Sequence, residues 1–101
     1  MRTIHLATID KVRPALVLTR EVARPYLGRV TVVPITSTVR GLKTELTLGP
    51  SNGLDHSCVA NFDGVTTIPV ADLGRQIGFL LDSQELELTE AIAAAFDLDL
   101  P

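Results

Sequence analysis

KVRPALVLTR, Lys11–Arg20, passes from two cations through a proline into an apolar run, and the rest of the chain reads as support for it. Pro14 has no N–H to give a sheet, so it fits the opening of a strand. Ala15-Leu16-Val17-Leu18 then reads as a buried strand closed by Thr19-Arg20. Arg13 is thereby set at the mouth of the strand, with stiff backbone on one side and solvent on the other. A guanidinium held there suits a phosphate, because its planar fork donates to two anionic oxygens at once. The plain alternative is a surface arginine ahead of a strand.

Outward from that stretch, Thr3–Ile9 (TIHLATI) reads as the preceding strand, and the link Asp10-Lys11-Val12 is short enough to require an antiparallel hairpin. Glu21–Gly28 reads as a loop punctuated by Pro25 and Gly28, and Arg29–Ile35 (RVTVVPI) as a β-branched strand with Pro34 at an edge or bulge. Thr36-Ser37-Thr38-Val39-Arg40-Gly41 puts three hydroxyls before a cation and a glycine. Such hydroxyls satisfy their own turn or offer donors to phosphate oxygens. Lys43–Leu48 alternates as a half-exposed strand, and Asn52-Gly53 marks the tightest point of the turn that follows. Ser57–Asp63 and Val65–Pro69 read as short strands split at Gly64, and Ala71–Gly74 as one helical turn. Arg75–Leu81 is the last strand, with Gly78 a bulge or close contact. From Asp82 the period changes. Asp82 and Glu85 resemble a capping box, and Leu88, Ile92, Ala95 and Phe96 share one face of a helix from about Ser83 to Phe96. Strands separated by turns and closed by one amphipathic helix predict a mainly β fold, a small antiparallel barrel with a C-terminal α-helix.

Composition narrows the class. A chain of 101 residues without internal repeat or linker is expected to form a single domain, residues 1–101, with one modest core. No apolar run approaches a membrane span and the N-terminus lacks a signal-peptide core. One cysteine, Cys58, makes no internal disulfide, so a cytoplasmic location is expected. His5, His56 and Cys58 lack ligand spacing, so neither metal nor other cofactor is expected. The net charge of −3 conceals an asymmetry. Met1–Lys43 carries eight basic residues against two acidic, whereas Thr44–Pro101 carries one against ten. That contrast suggests one face for a polyanion.

Arg13-Pro14-Ala15-Leu16-Val17-Leu18-Thr19, then Val33-Pro34-Ile35-Thr36, then Asp63-Gly64-Val65-Thr66-Thr67-Ile68 occur in that order with suitable gaps. In these motifs the chain resembles the MazF/PemK family of toxin endoribonucleases, and within it the mycobacterial MazF toxins, which share the VRGL and ADLGRQIGFLL-like segments. The resemblance covers essentially the whole chain. It implies an SH3-like barrel of the CcdB/PemK type, a homodimer, an RNA substrate cut without metal, and a cognate antitoxin whose acidic tail covers the RNA groove. It also assigns Arg13 and Thr36 as catalytic residues. Lys11, Thr38, Arg40, Lys43 and Tyr26 are the candidate RNA contacts.

Cleavage without metal uses the RNA's own 2′-OH as nucleophile. It needs a proton acceptor, donors for the charged phosphorus centre and a proton for the leaving 5′-oxygen. Arg13 suits the second task, and the Thr36 hydroxyl can hold a non-bridging oxygen or orient the nucleophile. The base is unassigned: Asp10 and His5 are candidates, with a turn-stabilising aspartate and a structural histidine as the alternatives. Many family members carry a long loop between the first two strands. Here it is three residues, and the expected consequence is a groove open to exposed single-stranded loops of tRNA or ribosomal RNA. Tyr26 is the expected stacking residue, and Phe62, Phe79 and Phe96 are expected in the core. The competing reading is a non-catalytic barrel acting by protein contact, as an antitoxin- or RNA-binding module or as a CcdB-type gyrase poison. The action of that last family depends on a C-terminal tryptophan, and this chain contains no tryptophan.

Overall fold

A computed structural model describes residues 1–100. Seven strands, β1 (Thr3–Thr8), β2 (Val12–Val17), β3 (Arg29–Thr36), β4 (Glu45–Leu48), β5 (Cys58–Asn61), β6 (Thr66–Pro69) and β7 (Leu73–Phe79), precede one helix, α1 (Glu85–Ala95). All pairings are antiparallel, in the order β4-β5-β3-β2-β1-β7, and β6 joins β3 beside β5. The tight hairpin is present: Thr8 faces Val12, and Ile9 N–H donates to the Lys11 carbonyl at 3.1 Å.

β3 is the spine. Its first half, Arg29–Val32, pairs with β6, and its end, Ile35–Thr36, pairs with β5. Pro34 lies at the switch between those partners, a break in the ladder where a residue without an N–H fits. The β-branched alternation of the strand buries Val33 and Ile35 on one face and Val30 and Val32 on the other. The first face meets Ile4, Leu16, Phe62 and the helix residues Leu88 and Ala91; the second meets Val17 and Ile68.

The barrel expectation holds with one refinement: the ladder itself does not close. Its two ends, β4 and β7, are not hydrogen-bonded strand to strand. The turn after β4 spans the gap instead. Gly53, at φ 90°, packs its backbone on Ile77 and Gly78, and the Asn52 carbonyl lies where a Cβ on Gly78 would stand. Only glycine permits so close an approach. Asn52, 1% exposed, completes the join: its Nδ2 donates to the Phe79 carbonyl at 3.1 Å and to Gln84 Oε1 at 2.7 Å, while its Oδ1 accepts from Gly49 N–H at 3.1 Å.

Several local expectations are corrected. Glu21–Tyr26 is a 3₁₀ helix rather than an open loop. The approach to α1 is closed by Gln84, whose Oε1 accepts from Leu81 N–H at 3.0 Å, not by an Asp82–Glu85 capping box. Glu85 pairs with Arg2 at 3.0 Å instead. Only Phe62 is core; Phe79 and Phe96 are 39% and 58% exposed, because α1 turns Leu88 and Ala91 inward and ends at Ala95. None of the described helices is long and apolar enough to cross a membrane.

Candidate active site

The pairing of β2 with β3 builds the site. Ala15 lies opposite Pro34, and the same antiparallel register continued two residues sets Arg13 opposite Thr36. Both residues line a cavity of about 640 Å³ and also a smaller groove of about 200 Å³, so they form the wall shared by the two.

Arg13 is three-quarters shielded from solvent. One terminal nitrogen, Nη2, donates to Asp10, at 2.8 Å from Oδ1 and 3.0 Å from Oδ2. Asp10 also accepts from Lys11 N–H at 2.9 Å, which fixes it in the hairpin turn. Its own backbone N–H, then Arg13 and the Lys11 N–H, hold the carboxyl below the ordinary aspartate range despite some desolvation. Arg13 Nε is different. It is buried and has no acceptor among the described residues. A buried donor without a partner costs about 1–3 kcal/mol, so the groups left to meet a ligand are the terminal nitrogens, of which only Nη2 is engaged.

Thr36 Oγ1 accepts from Thr38 N–H at 3.1 Å. That bond occupies an oxygen lone pair and leaves the hydroxyl proton free to donate. The hydroxyl-rich turn therefore does both things expected of it: one bond steadies the turn, and a donor remains. Past it, the Glu45 carboxylate gathers the N–H groups of Arg40 at 3.2 Å and Leu42 at 3.0 Å around Gly41, whose φ is 73°. Those donors, Leu42 foremost, lower the pKa of Glu45 from the ordinary glutamate value. The Arg40 guanidinium is left at the mouth of the smaller groove with Thr38 and Asn61.

The structure therefore unites Arg13, Thr36 and Lys11 around the larger cavity, and Arg13, Thr36, Thr38 and Arg40 around the smaller. It does not bring in Lys43 or Tyr26. Lys43 is exposed in the link before β4, outside both cavities. Tyr26, 88% exposed, ends the 3₁₀ helix between β2 and β3. Because those strands are antiparallel, that connection lies at the opposite end of the sheet from Arg13 and Thr36. His5 is held by both ring nitrogens, 2.9 Å from the Gly74 carbonyl and 2.9 Å from Thr3 Oγ1, and lines neither cavity. The basic N-terminal half is partly spent on structure: Arg2 pairs with Glu85, and Arg24 Nε donates to the Thr19 carbonyl at 2.9 Å.

Sequence reasoning missed Asp55, His56, Arg75 and Gln76, which line the larger cavity with Arg13. They come from a turn and from a strand far along the chain. The signal for their arrival was the glycine pair, Gly53 and Gly78, whose close contact draws that turn against β7.

A family model for the PemK-like, MazF-like toxins of type II toxin–antitoxin systems matches residues 4–96. The chain belongs to this family. It is 62% identical over 99 residues to endoribonuclease MazF3 of Mycobacterium tuberculosis, covering 98% of this chain and 96% of that one. The solved M. tuberculosis toxin MazF-mt6 superposes with a TM-score of 0.96 at 61% identity, covering 98% of this chain and 100% of that one. A mycobacterial endoribonuclease solved in complex with its cognate antitoxin shares the fold at 24% identity, with a TM-score of 0.86 over 98% of this chain and 95% of that one. The PemK-like pattern thus extends over β1 through the end of α1, with the Arg13–Thr36 wall inside it.

Proposed function

We propose that this MazF-type toxin is a sequence-selective endoribonuclease that holds the scissile phosphate on the wall shared by Arg13 and Thr36. Membership of the toxin family and the named endoribonuclease relatives support the activity class. The single observation that carries the site assignment is the Arg13 guanidinium, held by Asp10 through one terminal nitrogen only, on the same wall as the Thr36 hydroxyl.

In this reading the RNA's 2′-OH gives up its proton to water as it attacks the adjacent phosphorus, closing a 2′,3′-cyclic phosphate. The bond to the 5′-oxygen breaks, and that oxygen leaves as a hydroxyl after taking a proton from water. As the pentacoordinate centre gains charge, the unpaired terminal N–H groups of Arg13 donate to the non-bridging oxygens, while Thr36 donates through its hydroxyl. Asp10 acts as a positioning residue, because its carboxylate fixes one edge of the guanidinium and leaves the others to substrate. Arg40 continues the phosphate track in the smaller groove. The short hairpin leaves the groove uncovered, and the target is an exposed single-stranded loop of a folded RNA such as tRNA or ribosomal RNA, met in the cytoplasm. In-line attack and base reading both require unpaired, splayed nucleotides. The active form is a homodimer, and the cognate antitoxin blocks the cationic wall with carboxylates.

The test is end-mapping of tRNA, ribosomal RNA and unstructured mRNA after incubation with the wild-type chain and with Arg13→Ala. Loss of one charge-stabilising donor is expected to cost ~10²-fold or more in turnover with the fold retained. Full activity in Arg13→Ala overturns the site. Cleavage of mRNA alone overturns the folded-RNA target.

A further inference from the structure

The larger cavity has a polar wall that phosphate binding does not explain. Its apolar surfaces come from Leu6, Pro14, Ile35, Leu54 and Ile77, and its cations are Lys11, Arg13 and Arg75. A volume of about 640 Å³ falls within the range of clefts that enclose small organic groups. Apolar faces with polar edges match a nucleobase better than they match a bare phosphate.

Asp55 stands in this otherwise cationic cavity, exposed and without a hydrogen-bond or ion-pair partner among the described residues. A carboxylate there weakens the hold on any phosphate within range, so it does not serve the backbone of the substrate. Ionised, it accepts hydrogen bonds and donates none. Gln76, on the same cavity, is turned the same way: its Nε2 donates to the Gly78 carbonyl at 3.3 Å, which leaves its Oε1 to accept. Two side chains with a free acceptor therefore line the cavity that Arg13 and Thr36 also line. Both rest on a fixed frame, because Asn52 and Gly53 lock the Asp55 turn onto β7.

We infer that Asp55, seconded by Gln76, reads the base beside the scissile phosphate and selects one with an exocyclic amino group over uracil. Adenine, cytosine and guanine each bring an amino donor to their edge, whereas uracil's one donor, N3–H, stands between two carbonyl oxygens that repel a carboxylate. The inference rests on the RNA-cleaving reading above. A charge-assisted contact of this kind is worth about tenfold in discrimination.

The experiment is cleavage of a randomised single-stranded RNA library by the wild-type chain and by Asp55→Asn, with cut sites sequenced from both ends. For the wild type, an amino-bearing base is expected about tenfold over uridine at one position flanking the cut. Asp55→Asn, whose amide also donates, should bring that ratio near one through a gain on uridine substrates. Asp55 is exposed, so its replacement leaves the fold intact. An unchanged preference in Asp55→Asn overturns this inference and leaves the RNA-cleaving reading standing. So does a uniform rise in cleavage of every sequence, which makes the carboxylate a mere repellent. A wild-type chain that cuts no member of the library overturns both.

Discussion

Replacing Gly78 with Ala tests whether a backbone contact closes this barrel. The new Cβ would stand 1.7 Å from the Asn52 carbonyl oxygen and 2.8 Å from its carbon. Both neighbours are backbone, so the turn must retreat from β7 by roughly 1.5 Å to reach ordinary contact. That retreat breaks the 3.1 Å bond from Asn52 Nδ2 to the Phe79 carbonyl at a side chain shielded from water, at about 1–3 kcal/mol. It also draws Leu54, 8% exposed, partly out of the cluster it shares with Cys58 and Leu80, forfeiting part of the ~1.5–3 kcal/mol its burial supplies. Against this, alanine stiffens the unfolded chain by about 0.4–1 kcal/mol. The net expectation is a loss of about 2–4 kcal/mol, or roughly 10–25 °C in Tm for a chain of this size. Thermal unfolding followed by circular dichroism measures it, with Gly28→Ala as the control. No atom lies within 4 Å of a Cβ at Gly28, and its substitution should leave Tm within about 2 °C. A Gly78→Ala chain that melts within about 2 °C of wild type would refute the closure.

Asp10→Asn keeps an acceptor for Lys11 N–H but removes the charge that anchors Arg13; single-turnover cleavage should slow about tenfold, while affinity for a non-cleavable RNA, measured by anisotropy, holds or rises. Tyr26→Ala should stay within about twofold of wild-type cleavage, because Tyr26 is at the far end of the sheet; a tenfold loss would restore it to the site. Glu45 has its folded pKa depressed by Leu42 N–H and its neighbours, so its ordering of Arg40–Leu42 is fully present above the unfolded glutamate pKa and fades as pH falls through the folded one. Trypsin cleavage after Arg40 should accordingly speed up in Glu45→Gln at neutral pH, while the wild type stays comparatively resistant. Burial pushes the Cys58 thiol up, so a thiol reagent at neutral pH should modify it only as fast as the chain opens.

What the sequence disclosed and what it hid divide along a physical line. Local rules found the strands: a proline without an N–H opens β2, alternating β-branched residues make β3, and a three-residue link can only be a hairpin. The same rules placed Arg13 and Thr36 at strand ends. Their meeting needed one further fact, the register of β2 on β3, which the apolar patterns of the two strands enforce by burying Leu16 with Val33. The rest of the cavity was not legible because nothing local specifies it. Asp55 and His56 read as ordinary turn residues until Gly53 and Gly78 bring their turn to β7. Tyr26 was placed by the opposite kind of reasoning: an aromatic in a basic loop fits RNA chemistry, but chain direction carries it to the far end of the sheet from Arg13 and Thr36. Phe79 and Phe96 show that apolar identity does not decide burial in a chain too small to cover all its hydrophobic surface.

In the proposed function, the Arg13–Asp10 pair decides how the site behaves before and after RNA arrives. A deeply buried partner would neutralise the arginine and compete with phosphate for all its donors. Asp10 does neither: its side chain is 70% exposed, and it takes a single terminal nitrogen of the guanidinium. Water and salt screen its charge, so its net hold on the arginine is modest, as for other exposed pairs. The geometric effect survives the screening, because Asp10 is itself fixed by Lys11 N–H in a hairpin with no slack. The guanidinium is thereby aimed without being spent. An arginine aimed before substrate binds loses less rotamer freedom when it meets the phosphate, and the saving appears in the charged transition state, where its free edge is needed most. In the function proposed above, a short hairpin thus replaces what a long loop would have to achieve by folding over the substrate, and it leaves the groove open to the folded RNA proposed as the target.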